Sequence, residues 1–178
     1  MKKSLLSLML LSFVAFGEET KPSHGLIHAA EIIIEEKEYV VGGLKTLKNY
    51  NFNYEIRSHE TGGSEAWVKV GEISRPGRVE PILFKVEGVL YMAGGWMGTK
   101  SFDGRVVWLP LKSIWRIYPG APIKILETEQ PIGNATLKQE GSKLTFTKMP
   151  RVTELFNLKA VLNKTYPKSS NTISVTIP

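Results

Sequence analysis

The sequence contains no cysteine, and Asp103 is the single aspartate among its 17 acidic residues. The absence of cysteine excludes disulfide frameworks, thiolate zinc sites, iron–sulfur clusters and cysteine nucleophiles. The scarcity of aspartate excludes mechanisms that pair two aspartates, so glutamate must supply any carboxylate chemistry. The length and composition of the chain suit one ordinary domain, because 178 residues with a hydrophobic fraction of 42% can bury a core.

The first 17 residues are predicted to be a secretory signal peptide. Lys2 and Lys3 form a basic start, residues 5–16 form an apolar stretch, and Ala15 and Gly17 are small residues before a cleavage point. Cleavage would leave 21 basic and 17 acidic side chains and lower the formal charge from +6 to +4. We therefore expect an exported bacterial protein, periplasmic or extracellular, with no membrane span after cleavage.

The remaining chain divides into three parts by composition. Residues 18–30 are a polar lead-in, residues 31–166 carry the folded domain, and residues 167–178 are a linker followed by a terminal strand. No internal repeat is identified in the sequence, which favours a single domain.

Apolar and polar residues alternate with a period of two along most of this domain. In the stretch 51–57, Phe52, Tyr54 and Ile56 fall on one face of a strand, opposite Asn53, Glu55 and Arg57. Further strands are predicted over 66–70, 82–86, 89–93, 105–109, 113–118, 122–126, 134–139, 143–148, 158–163 and 172–177, with one short helical stretch at 151–158. Paired glycines and other turn residues separate them about every 8–12 residues, which predicts an all-β antiparallel sandwich.

Catalytic and metal-binding constellations are sparse. Asp103 lies in a hairpin turn sequence and is a poor triad member. Glycoside hydrolysis needs two facing carboxylates, for which the candidates are Glu55 and Glu65 or the cluster Glu35, Glu36 and Glu38. His59, Glu60 and Glu65 flank one loop but match no specific metal motif, so neither a metal nor a cofactor is predicted.

Carbohydrate binding is the class whose requirements these residues meet. A sugar stacks its apolar face on an aromatic ring, and its hydroxyl groups bond to amide, carboxylate and guanidinium groups. The candidate ligands are Asn53, Glu55 and Arg57 on one strand and Trp67 on the next, where Val68 and Val70 are expected to face the core; Trp96, in a glycine-rich stretch, is a further candidate. We expect a glycan or oligosaccharide ligand and no nucleic-acid partner, because basic and acidic residues alternate along the chain.

Two resemblances point in the same direction. Residues 43–57, followed by Gly62-Gly63, resemble the concanavalin-like domain of 3-keto-disaccharide hydrolases. That resemblance implies a jelly-roll sandwich with its ligand on the concave sheet. The second half, through Val79-Glu-Pro-Ile-Leu-Phe-Lys85, Asp103-Gly-Arg-Val106, Leu109-Pro110 and Glu140-Gly-Ser-Lys-Leu-Thr-Phe146, is similar in rhythm to the C-terminal β-sandwich of bacterial α-L-fucosidases. This second resemblance implies an accessory module without hydrolytic activity.

Three functions follow from these observations. The favoured one is an exported carbohydrate-binding domain, and the first alternative is a glycoside-acting enzyme of the 3-keto-disaccharide hydrolase type. The second alternative is a secreted assembly subunit that associates through its terminal strand, residues Thr172–Ile177, by adding it to the sheet edge of another copy.

Overall fold

The computed structural model describes residues 24–47, 50–63, 66–100, 102, 104, 106–133, 135–147 and 172–178. Within these residues the chain forms fifteen strands and no helix. All of the strand pairs formed there are antiparallel. The predicted all-β, antiparallel fold class is therefore confirmed.

The strands form three main sheets and two short hairpins. The first sheet contains β1 (Ala30–Ile34), β2 (Lys37–Val41), β5 (Glu55–Glu60) and β6 (Val68–Glu72). The second contains β7 (Ile82–Val86), β8 (Val89–Ala93), β11 (Ser113–Tyr118) and β12 (Ile123–Glu127), and the third contains β13 (Thr136–Glu140), β14 (Lys143–Thr147) and β15 (Thr172–Thr176). The hairpins are β3 (Leu44–Thr46) with β4 (Asn51–Phe52), and β9 (Trp96–Lys100) with β10 (Val106–Pro110).

The sheets pack face to face, as in a β-sandwich. The first and second sheets share one core, formed by Tyr39, Val41, Ile56, Ile73, Leu90, Met92 and Ile117. The second sheet packs its other face on the third sheet through a separate core, which includes Phe84, Ala93, Ile114, Leu144, Phe146 and Ile177. The second sheet is therefore the middle layer of three, and burial of apolar area on both of its faces stabilises the stack.

The concanavalin-like jelly roll is not confirmed. In the first two sheets the spatial order of strands follows the chain, β1-β2-β5-β6 and β7-β8-β11-β12. A jelly roll instead contains Greek keys, in which a fourth strand returns to lie beside the first. Each of these two sheets is a meander with a hairpin inserted between its second and third strands.

The structure reveals an internal repeat, so the expectation of none was wrong. Strands β1 and β2 recur 52 positions later as β7 and β8, and the pair Gly42-Gly43 recurs as Gly94-Gly95. Even the unusual backbone conformations repeat, since His28 and Glu80, and likewise Glu35 and Glu87, all have positive φ. Sequence identity between the two units is low because only the backbone geometry and the apolar pattern must be kept.

The predicted strand over 51–57 is broken in the structure. Strand β4 ends at Phe52 and β5 begins at Glu55. Between them, the fully buried Asn53 donates from its side-chain amide to the carbonyl groups of Gly42 and Glu55, at 3.1 and 2.8 Å. These bonds take the place of ladder bonds and turn the chain from the inserted hairpin back into the first sheet.

Other predictions differ at the ends of the domain. The period-two pattern did not identify β1, β2 or β9. In β1 the alternation is absent because Ile32, Ile33 and Ile34 form a continuous apolar run. The predicted turn at Asp103, the helical stretch 151–158 and the strand 158–163 lie outside the described residues. In the described part of the chain, no helix is long and apolar enough to cross a membrane.

Candidate functional site

One face of the first sheet points away from the second sheet and carries charged side chains. Glu55, Arg57 and His59 alternate along β5 on this outer face, opposite the core residue Ile56. In register with them on β6 are Glu72, beside Glu55, and Lys69, beside Arg57. The outer face thus presents two rows of ionisable groups over about 13 Å of strand.

A cleft of about 300 Å³ opens where these two strands meet the inserted hairpin. It is lined by Lys45, Tyr54, Glu55, Glu72, Ile73 and Arg75. The name Glu55 cleft is used below for these six residues. Glu55 begins β5 and Glu72 ends β6, while Lys45 comes from β3 and Arg75 from the loop that leads to the second sheet. The cleft therefore combines four charged side chains with one aromatic ring.

Both carboxylates of the cleft are held by cations on the outer face. The Oε2 atom of Glu55 accepts hydrogen bonds from Nη2 and Nε of Arg57, at 2.6 and 2.8 Å. This bond and the positive charge of Arg57 lower the pKa of Glu55, with smaller contributions from Lys45 and Lys69. Glu72 is paired with Lys69. Glu55 is consequently ionised and fixed in orientation at neutral pH.

The two cations inside the cleft are placed differently. The guanidinium of Arg75 lies over the ring of Tyr54, with Cζ 5.4 Å from the ring centroid, which is a cation–π geometry. Neither Arg75 nor Lys45 has an ion pair with a described residue. Both side chains are exposed, so their donors face the solvent of the cleft.

Trp67 lies further along the same outer face, against two histidines. Its ring is 4.2 Å from the ring of His59 and 5.6 Å from that of His24, edge to face in both cases. The Nε2 atom of His59 is 2.8 Å from Glu38, and that of His24 is 2.5 Å from Glu31. The half-buried Trp67 is thus held by histidines that are themselves fixed by carboxylates.

The structure separates the five predicted ligand-binding residues. Glu55, Arg57 and Trp67 share the outer face of the first sheet, as the pattern predicted. Asn53 is fully buried and its amide is used within the chain, so we assign it a structural role. Trp96 is 4% exposed and packs with Leu44 and Val79, so its ring is closed to a ligand.

Two further expectations about this region are resolved differently. Val68 was expected in the core, but it is 58% exposed. Val68 pairs with the buried Ser58, but it begins β6, which is an edge strand of the first sheet in the described part of the chain. An edge position is covered by fewer neighbours, so Val68 remains exposed. Glu65, the second candidate catalytic residue, lies outside the described residues.

Of the six residues that line the cleft, only Glu55 was predicted as a site residue from the sequence. Alternation places Tyr54 on the core face, and Arg75 lies in the turn sequence Arg75-Pro-Gly77. Lys45, Glu72 and Ile73 come near Glu55 through the inserted hairpin and the pairing of β5 with β6, which no local sequence pattern indicates.

The described residues of the His59 loop do not form a metal site. Glu60 pairs with Lys37 across the sheet at 3.3 Å, and His59 is committed to Glu38. Among the described residues no group of three or more histidine, aspartate or glutamate side chains converges in a way that could hold a metal ion.

Comparisons with known proteins bear on the fold. No protein-family model matches the chain, and no curated protein matches it. A solved structure titled "Structure of YjhT" is similar, with a TM-score of 0.57 and 17% sequence identity over 71% of this chain. The chain spans 39% of the length of that protein. At this level of identity the similarity supports the all-β fold described above.

Proposed function

We propose that the chain is an exported carbohydrate-binding domain that holds its ligand in the Glu55 cleft and along the neighbouring outer face. The observation that carries the proposal is that Glu55 lines a cleft beside the ring of Tyr54, on the sheet face that also presents Arg57 and Trp67. Export rests on the predicted signal peptide of residues 1–17, which lies outside the described residues.

The chemistry of the cleft suits a hydroxylated ligand. An ionised carboxylate accepts hydrogen bonds from two neighbouring hydroxyl groups, and Glu55 is held in that state by Arg57. Lys45 and Arg75 supply donors for ring and hydroxyl oxygens. The exposed part of the Tyr54 ring offers an apolar surface beside these polar groups. Because ion pairs fix the Glu55 carboxylate before binding, less conformational entropy is lost when the ligand arrives.

A glycoside-acting enzyme is the second candidate, since Glu55 and Glu72 face each other in register and both line the cleft. Hydrolysis requires one carboxyl group whose pKa is raised, so that it can act as a general acid. Arg57 lowers the pKa of Glu55, so Glu55 is unsuited to the general-acid role and could serve only as the ionised partner of such a pair. Binding is therefore the better match to this site than hydrolysis.

The assembly function would need a terminal strand that is free to leave its own chain. Instead, β15 pairs with β14 along its full length, from Thr147 with Thr172 to Lys143 with Thr176. Ile177 is 3% exposed and belongs to the core between the second and third sheets. The terminal strand thus completes the third sheet of its own chain.

The test is a binding screen of the mature protein against an array of neutral and acidic glycans, followed by titration of the best ligand. We expect Glu55→Gln to weaken that binding at least about tenfold, because a charge-assisted hydrogen bond is lost. The melting temperature should change little, since the side chain is partly exposed.

Glu140→Gln provides the matched control. Glu140 is ion-paired with Lys138 on the third sheet, remote in sequence from the cleft. It should leave binding unchanged. Wild-type protein that retains no glycan, or a Glu55→Gln variant that binds as well as the wild type, would overturn the proposal.

A further inference from the structure

The structure assigns an anionic saccharide to the Glu55 cleft, with Lys45 and Arg75 as the residues that recognise its negative group. This inference rests on the proposed function and narrows its ligand class. The group recognised would be a carboxylate or a sulfate ester on a sugar ring. Both groups are anionic and offer several oxygen acceptors to lysine and arginine.

The first step of the argument is the charge balance of the cleft. Four ionisable side chains line it, two acidic and two basic. The two acidic side chains already form ion pairs with cations that do not line the cleft, Glu55 with Arg57 and Glu72 with Lys69. The positive charges of Lys45 and Arg75 therefore remain uncompensated, and the cleft presents a net positive field to a ligand.

The second step is a comparison with the rest of the described surface. Most lysines there have a glutamate partner within salt-bridge distance, as Lys37, Lys85, Lys124 and Lys138 do. Lys45 and Arg75 are two unpaired cations that line the same cleft. A negative group bound between them would supply the partner that each lacks within the described chain.

The third step concerns geometry. Arg75 is held over the Tyr54 ring, which orients its planar guanidinium while leaving the N–H donors at its rim free to bind two oxygens at once. Glu55 and Glu72 line the same cleft, where they would accept from hydroxyl groups and repel a misplaced anion. A volume of about 300 Å³ is at the lower end of small-molecule sites, which favours one sugar ring over a long segment.

The experiment measures the binding of three oligosaccharides matched in length: a uronic acid oligomer, a sulfated neutral oligomer and an unmodified neutral oligomer. Each is titrated calorimetrically into the wild-type protein and into Lys45→Gln, Arg75→Gln and the double variant. Lys143→Gln is the control, because Lys143 is exposed on the third sheet and has no ion pair among the described residues. Thermal melts establish that every variant is folded.

We expect the anionic oligomers to bind at least about tenfold more tightly than the neutral one at about 50 mM salt. The preference should shrink at about 300 mM salt, where exposed charges are screened. The double variant should remove the preference, and the arm that binds better identifies the carboxylate or the sulfate as the recognised group.

Equal binding of neutral and anionic oligomers, or an undiminished preference in the folded double variant, would overturn the anionic ligand while leaving carbohydrate binding intact. Failure of the wild-type protein to bind any of the three, or any glycan of the array, would overturn both proposals.

Discussion

Gly42 and Gly94 occupy equivalent positions, directly after β2 and β8, and each closely approaches the backbone segment that leads to the next sheet. A Cβ atom on Gly42 would lie 2.6 Å from the carbonyl oxygen of Arg78, and one on Gly94 would lie 2.3 Å from that of Gly133. Both glycines have positive φ, at 72° and 59°. The neighbouring amides repeat as well, since Gly43 donates to Arg78 and Gly95 to Gly133, at 2.8 and 2.7 Å.

This relationship predicts a large effect of alanine at Gly94. Gly94→Ala combines an unfavourable φ with a clash against backbone, and we expect a loss of about 3–4 kcal/mol in the free energy of unfolding. Gly88→Ala is the control, because Gly88 has a φ of 82° but nothing within 4 Å of the added Cβ. It should cost about 1 kcal/mol. If urea unfolding gives similar losses of unfolding free energy for the two variants, the close approach of Gly94 to Gly133 does not contribute to stability.

The ion pair between Glu55 and Arg57 predicts a pH-dependent contribution to stability. The pKa of Glu55 is lowered in the folded protein, so the pair stabilises the fold above the unfolded value of about 4.5 and the contribution is lost as pH falls below it. Glu55→Gln should cost about 0.5–1 kcal/mol near pH 7, because the pair is partly exposed.

As the pH falls through the lowered pKa of Glu55, the wild type and Glu55→Gln should converge in unfolding free energy, because both side chains become neutral. Glu36→Gln serves as the control, since Glu36 has no ion pair with a described residue, and it should match the wild type throughout the titration. A difference between Glu55→Gln and the wild type that persists at acidic pH would contradict an electrostatic origin.

Arg78 predicts an unusual order of stability among variants. Arg78 is 1% exposed, Nη1 donates to the carbonyl of Gly94 at 3.1 Å, and Nε has no hydrogen-bond partner among the described residues. Burial lowers its pKa to about 10. Since no described carboxylate compensates the charge, Arg78→Met should cost only about 1 kcal/mol or less.

Arg78→Lys, by contrast, buries a more strongly hydrated charge and loses the planar contact with the ring of Trp115, whose centroid lies 6.0 Å from the Arg78 Cζ. We expect it to be less stable than Arg78→Met by at least about 1 kcal/mol in chemical denaturation. A lysine variant that is as stable as the methionine variant would mean that the site needs a positive charge.

The terminal strand predicts a strong dependence of folding on Ile177. Ile177 is buried between the second and third sheets, so Ile177→Ala should cost about 2–4 kcal/mol. Ile123→Ala, at a position that is 47% exposed, should cost about 0.5 kcal/mol. Differential scanning calorimetry separates the two outcomes, and an unchanged melting temperature for Ile177→Ala would argue that β15 does not pack on its own chain.

The sequence was sufficient for the fold class and for individual strands. Strands β8 and β11 coincide with the predicted 89–93 and 113–118, because short, mainly apolar runs bounded by turn residues indicate strands. It was insufficient for the stacking order, which depends on contacts such as those of Gly42 and Arg78 between residues far apart in sequence.

For the candidate site, alternation correctly placed Glu55 and Arg57 on one face but also assigned Asn53 to it. Alternation assumes an unbroken strand, whereas the hydrogen bonds of the Asn53 side chain fix a break between the end of β4 and the start of β5. Lys45 and Arg75 could not be predicted as cleft residues, because their proximity to Glu55 comes from the inserted hairpin and from a loop. Local pattern therefore predicts which residues share a strand face and leaves the surroundings of that face undetermined.

The position of the inserted hairpins has a consequence for how this protein can diversify. Each hairpin leaves its sheet at a glycine pair and returns before the third strand, so its length can change without altering the sheet ladders. The second hairpin is already longer than the first, with β9 and β10 of five residues each against β3 and β4 of three and two. Grafting a different hairpin tip between Leu44 and Phe52 would therefore exchange the wall that carries Lys45 while keeping the buried Leu44 and Asn53, and it offers a route to engineered ligand specificity on the same scaffold.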